Sequence, residues 1–145
     1  MGWWSTDIMG GDTPLDFEDA IYDICKIEKF PESGGMAKLT KEDFKENLNE
    51  IVDFLDADKW GESNIGYQVL AVLMLKAGAF ISGDLQDFMM QACENDEWAQ
   101  ESEERAVATQ GLFNALSQYD NETPIIIKSR GLFEVMAEKL GGESI

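Results

Sequence analysis

Phe17, Ala20, Ile21, Ile24 and Cys25 fall at helical spacing and define one apolar face. Thr13-Pro14 ahead of them predicts an N-cap followed by the first helical position, with Asp16 in the turn where the helix dipole favours a negative charge. Phe30-Pro31 is expected to stop this helix, because the residue before a proline avoids the helical region. Glu32 to Lys38 then forms a glycine-containing loop. The second helix has the clearest start. Thr40 and Asp43 have the spacing of a capping box, and Leu39 with Phe44 that of a hydrophobic staple. Phe44, Leu48, Ile51, Val52 and Leu55 give its buried stripe, and Asp58 to Gly61 ends it.

A third helix, about 64–81, differs in kind. Tyr67, Val69, Leu70, Val72, Leu73, Met74, Leu75, Phe80 and Ile81 point nearly all round the axis, which predicts a central helix covered on several sides. Gly83 is the expected C′ residue. Asp84 is expected to cap a fourth helix with the stripe Leu85, Phe88, Met89, Ala92 and Cys93, before Asn95-Asp96-Glu97 breaks the path. A fifth, roughly 102–119, starts at Ser102 and turns Ala106, Thr109, Leu112, Phe113 and Leu116 inward. After the loop Asp120 to Glu122, Thr123-Pro124 repeats the cap-and-proline pattern. Ile125-Ile126-Ile127 fits either a short strand or a first helical turn. Leu132, Phe133, Met136 and Leu140 form a last stripe, closed by Gly141-Gly142. With no convincing pair of strands, the expected fold is all-α. It is an irregular bundle of five or six helices around the central apolar one, with an aromatic N-terminal segment packed on it.

Composition fits that picture. A chain of 145 residues with 44% hydrophobic positions suits one domain with an ample core. The charge is less ordinary: 29 acidic against 11 basic residues give −18. Such a field repels nucleic acid and anionic membrane surfaces and attracts basic partners, so direct nucleic-acid binding is not expected. The simplest role for it is solubility. Histidine is absent, which excludes Ser-His-Asp and Cys-His catalysis and removes the commonest metal ligand. Cys25 and Cys93 lie in apolar helical patterns, as expected of buried free thiols in a reducing compartment. The opening residues lack a signal peptide's basic and apolar regions. The most apolar stretch, Ile65 to Ile81, is interrupted by Gln68 and Lys76 and is short for a membrane span. A cytoplasmic location and no membrane contact are therefore expected.

Met1, Gly2, Trp4 and Thr6, followed by Asp12, Leu15, Asp16 and Phe17, resemble an uncharacterised family of small acidic bacterial and phage proteins. That family opens Met-Gly-x-Trp-Gly-Thr. Ser5 departs from its usual glycine and Gly10-Gly11 from its usual Asp and Asn, and the resemblance covers residues 1–17 alone. It implies a helical cytosolic domain and transfers no activity.

The candidate chemistry is thin. The glycine-rich Met9 to Thr13 matches no phosphate-binding fingerprint, and Asp12, Asp16, Glu18 and Asp19 would repel a phosphate. Asp56-Ala57-Asp58-Lys59-Trp60-Gly61 resembles the start of a calcium loop, but Trp60 and Tyr67 stand where the fifth and twelfth ligands belong. No metal site, cofactor or catalytic residue is assigned. Carboxylate-dependent hydrolysis keeps Asp7, Asp12 and Asp16 as its best residues. The most informative stretch runs from Asp84 to Glu104, with Asp84, Asp87, Glu94, Asp96, Glu97, Glu101, Glu103 and Glu104 and no Lys or Arg. Unneutralised carboxylates on adjacent turns cost roughly 0.2–0.5 kcal/mol per close pair. The functional reading is a surface for a basic protein partner, with Trp98 as its apolar centre; the plain alternative is a solvated face with Trp98 turned inward. Trp3, Trp4, Asp7 and Asp12 form a second candidate surface, against the plain alternative of a lid over the core. The reading that results is an acidic protein-binding module, such as an inhibitor of a basic or nucleic-acid-binding protein. Self-association into a homo-oligomer is the main alternative, motivated by the surplus of aromatic and Met residues.

Overall fold

The computed structural model describes residues 5–29, 31–32, 34–35 and 37–127. These residues form six helical segments and no β-strand: α1 (Asp12–Ile24), α2 (Lys41–Ala57), α3 (Ser63–Ala77), α4 (Gly83–Glu94), the single short turn α5 (Glu97–Glu101) and α6 (Glu103–Gln118). Trp3, Trp4 and the expected stripe at 132–140 lie outside the described residues.

The all-helical bundle is the expected one, and its centre is α3. Every residue from Ile65 to Leu75 is buried, because α1, α2, α4 and α6 all pack on this helix. Gly66 makes the tightest of these approaches: a methyl group there would meet Leu55 Cδ2 at 2.5 Å and Phe17 Cε1 at 2.9 Å. Its missing side chain lets α1 and α2 close on α3. No helix among the described residues is long and apolar enough to cross a membrane.

Several boundaries differ from the sequence expectation, each for a local reason. Helix α1 starts earlier, with extended Gly11 as its N-cap in place of Thr13. Pro14 then sits in the first turn, where its missing N–H loses no bond. The same helix ends at Ile24, well before Phe30-Pro31. Lys26 adopts φ 60°, and the bonds Lys26 N–H to Asp23 O and Ile27 N–H to Tyr22 O close a Schellman motif. Helix α3 stops at Ala77 instead of 81, because Gly78 takes the left-handed position expected of Gly83. Gly83 instead lies inside α4, whose cap is Ser82 in place of Asp84; Ser82 Oγ accepts from the Leu85 N–H at 3.2 Å. Phe88, assigned to the inner stripe of α4, is exposed, and Ala106 and Phe113 of α6 are half-buried. Ile125 to Ile127 are neither strand nor helix; the Ile125 N–H donates to Leu75 O at 2.9 Å and ties this segment to the end of α3.

The α2 start follows the sequence closely. Thr40 Oγ1 accepts from the Asp43 N–H at 3.3 Å, and Asp43 Oδ2 accepts from the Thr40 N–H at 2.8 Å. Leu39 and Phe44 are both buried, as the staple requires. Thr40→Ala removes one acceptor and half the box, so it should destabilise the fold by about 1 kcal/mol, while Thr40→Ser should keep most of it. Urea denaturation of the two variants gives the difference directly.

Candidate acidic cleft beside Trp98

Three residues carry the polar architecture inside the bundle: Gln68 on α3, Asp96 between α4 and α5, and Arg105 on α6. Arg105 is fully buried and Asp96 is 4% exposed. Asp96 Oδ2 accepts from Arg105 Nε at 3.1 Å, from Arg105 Nη2 at 2.9 Å and from Gln68 Nε2 at 2.9 Å. Arg105 Nη2 also donates to Gln68 Oε1 at 2.7 Å. The other guanidinium nitrogen, Nη1, donates at 3.1 Å to the carbonyls of Thr6 and Asp7. Asp96 Oδ1 caps α5 by accepting from the Ala99 N–H at 2.9 Å. Among the described residues, no buried side-chain N or O lacks a partner. Burial pushes the Asp96 carboxyl up, but the bonds from Gln68 and Arg105 and the Arg105 charge outweigh it and hold the pKa below the usual carboxylate value.

This network fixes two surrounding features. It ties residues 5–11 to the bundle, where Ile8 is almost wholly buried in the core. That agrees with a lid for the described part of the N-terminal segment; Asp7 is half-buried there and Asp12 exposed. It also sets Trp98, whose ring centroid lies 4.8 Å from the Arg105 guanidinium carbon, a cation–π contact.

Next to Trp98 opens a cleft of about 650 Å³ between the start of α3 and α5. Glu97, Trp98 and Glu101 line one side, Gly61 to Ile65 the other, and Asp96 reaches its floor. No Lys or Arg is among the lining residues. Glu62 joins the site from the α2–α3 connection, where a carboxylate beside a helix N-terminus is favoured by the dipole. Carboxylates around an aromatic ring can hold a cationic side chain by ion pairing and cation–π attraction. Among the described residues, no group of three or more His, Cys, Asp or Glu is placed to hold a metal ion.

The acidic run is thus divided. Glu97, Trp98 and Glu101 line the cleft, whereas Asp84 and Asp87 lie towards the far end of α4, about three and two turns from Glu94. Glu103 and Glu104 are exposed in the first turn of α6. Asp96 is the correction: taken as part of an unneutralised surface, it is a buried carboxylate neutralised by the residue just past the end of the run. Arg105 was missed, although it falls on the same stripe as Thr109, Leu112 and Leu116, and a cation on a buried stripe demands a partner. Gln68 on the otherwise apolar α3 signals the same thing. Glu62 had no signal, since only folding places it in the same cleft as Trp98.

Elsewhere the sequence candidates stay apart. Asp56 accepts from the Tyr67 hydroxyl, and Asp58 caps α2 in a left-handed conformation, so the calcium-loop resemblance becomes a helix end. Cys25 and Cys93 are free and buried, and burial pushes their thiols up to about 11 and about 12. The chain matches no family model, no curated protein and no solved structure.

Proposed function

We propose that the protein is an acidic binding module that engages a basic protein surface, with the cleft beside Trp98 receiving an Arg or Lys side chain. The observation that carries this reading is that Glu62, Glu97 and Glu101 line one cleft with Trp98, with no cation among the lining residues. The buried Asp96–Arg105–Gln68 network supports it by holding the α5 wall in place, which limits the ordering cost on binding. The −18 charge supplies attraction at longer range, which accelerates encounter and weakens as salt rises.

The test separates the cleft from the overall charge. An arginine-rich peptide titrated at low salt should bind the native protein, and Glu97→Lys/Glu101→Lys should weaken binding at least tenfold. Glu46→Lys/Glu50→Lys, which reverses two exposed carboxylates on α2, changes net charge equally and should weaken it no more than about twofold. Equal losses in both pairs would reduce the effect to net charge and remove the cleft from the reading.

A further inference from the structure

A second concavity lies away from the acidic cleft, between the first half of α2 and the α3–α4 connection. It holds about 500 Å³, within the usual range for small-molecule sites. Phe44, Leu48, Ala79 and Phe80 form its apolar lining. Phe80 is 68% exposed, an unusual position for the ring in a chain with so many buried neighbours.

That exposure is built into the fold. On one side of Phe80, the Ala79 carbonyl accepts from the Tyr119 hydroxyl at 2.6 Å, and the Ala79 N–H donates to Met74 O at 3.0 Å. On the other side, the Ile81 N–H donates to Asn121 Oδ1 at 2.9 Å. Asn121 makes this bond from a left-handed backbone with φ 65°, a conformation that asparagine tolerates better than most residues. Ala79 and Ile81 are themselves buried. The connection therefore presents Phe80 outward on a backbone held from both flanks by side chains from after α6.

The polar rim is equally unusual here. Lys41 and Lys45 stand one turn apart on α2 and both line the groove, in a chain with only 11 basic residues. Lys29 and Arg105 are ion-paired, but neither Lys41 nor Lys45 is in an ion pair among the described residues. Lys41 also occupies the first position of α2, where the helix dipole disfavours a cation. Glu42 shares the rim, so the lining itself carries one net positive charge, while Asp43 and Glu46 occupy the adjoining positions of α2 outside the lining.

From the pinned Phe80, the apolar lining and the two unpaired lysines, we infer that this groove binds a small amphiphile with an apolar chain and an anionic head, of the fatty-carboxylate class. The apolar body covers Phe80, Phe44 and Leu48 while the head meets Lys41 and Lys45. A small ligand suits the site better than an acidic protein. A large acidic partner would face the repulsion of the whole −18 surface. A single carboxylate feels chiefly the charges within one Debye length, about 8 Å at physiological salt. The inference does not depend on the acidic cleft.

The probe is decanoate, kept below its micelle concentration at physiological ionic strength and followed by amide NMR shifts. Saturable shifts confined to residues near 41–48 and 79–81 are expected. Phe80→Ala should weaken binding at least tenfold with an unchanged urea midpoint, since the exposed ring adds little to the core. Lys41→Gln/Lys45→Gln should weaken decanoate at least fivefold and leave decanol unaffected. Non-saturable or scattered shifts would overturn the inference, as would a Phe80→Ala variant that binds like the native chain. A concentration-dependent dimer abolished by Phe80→Ala, without a decanoate response, would also overturn it and assign the groove to a second copy.

Discussion

Asp96→Ala should destabilise the protein by about 3–5 kcal/mol, because it leaves the Arg105 guanidinium buried without its counter-charge. Three hydrogen bonds to Oδ2 and the α5 cap on Oδ1 disappear together. Glu97→Ala, one residue further on and exposed, should fall within about 0.5 kcal/mol of the native protein. Urea denaturation of both reads the contrast. The loss should also spread to the N-terminal segment, since Arg105 holds the Thr6 and Asp7 carbonyls. Faster amide exchange around residues 5–11 is the expected signature. Acid should imitate the variant. The folded pKa of Asp96 lies below its unfolded value, so its contribution is fully present above the ordinary carboxylate range. It is lost as pH falls through that range to the depressed folded pKa. An Asp96→Ala protein should therefore show a flatter decline of stability below about pH 4 than the native chain.

Gly78→Ala is the second large effect, expected to cost about 2–3 kcal/mol from left-handed backbone strain and steric crowding combined. Gly78 closes α3 at φ 68°, and a methyl group there would lie 2.9 Å from the Glu122 carbonyl oxygen and 3.2 Å from Pro124 Cγ. The first of these neighbours is backbone, so relief requires moving the 122–124 segment. That movement would pull on Asn121, which holds the Ile81 N–H, and on the bond from the Ile125 N–H to Leu75 O. Gly111→Ala is the matched control. Gly111 lies within α6 with open space at the added carbon, so the change should stabilise by about 0.5–1 kcal/mol. Thermal or urea midpoints that move in opposite directions for the two alanines confirm the distinction.

The helices α1 to α4 and α6 and the identity of the central one were legible because they follow from repeated apolar spacing, whereas the single turn α5 lies where the sequence reading expected a break at Asn95-Asp96-Glu97. No single residue decides that pattern. The α2 capping box and the Ser102 cap were legible because both use contacts spanning three residues. Boundaries failed where two residues within a few positions of each other offered the same chemistry. Gly78 and Gly83 can both end a helix, and Ser82 and Asp84 can both begin one. Periodicity does not choose between such neighbours; the packing of Ala79 and Ile81 does.

The acidic run shows the same division at the candidate site. Its carboxylates could be counted along the chain, but their environments could not. Asp96 and Glu97 are adjacent and chemically alike, yet one is buried against Arg105 and the other lines an open cleft. The N-cap turn at α5 separates them by aiming one side chain inward. The groove at Phe80 was illegible for a related reason. Its lysines and its phenylalanine are about 35 residues apart, and the residues that pin the connection come about 40 residues later.

The sequence by itself determined the all-helical character of the described residues, their most buried helix, the Thr40 and Ser102 caps and the sign of the charge, none of which needs contacts between distant segments. Tertiary structure alone decided which carboxylate is neutralised, that Glu62 lines the same cleft as Trp98 and that Phe80 stays exposed. Those outcomes depend on contacts between distant segments, and neither local propensity nor net charge encodes which distant groups will meet.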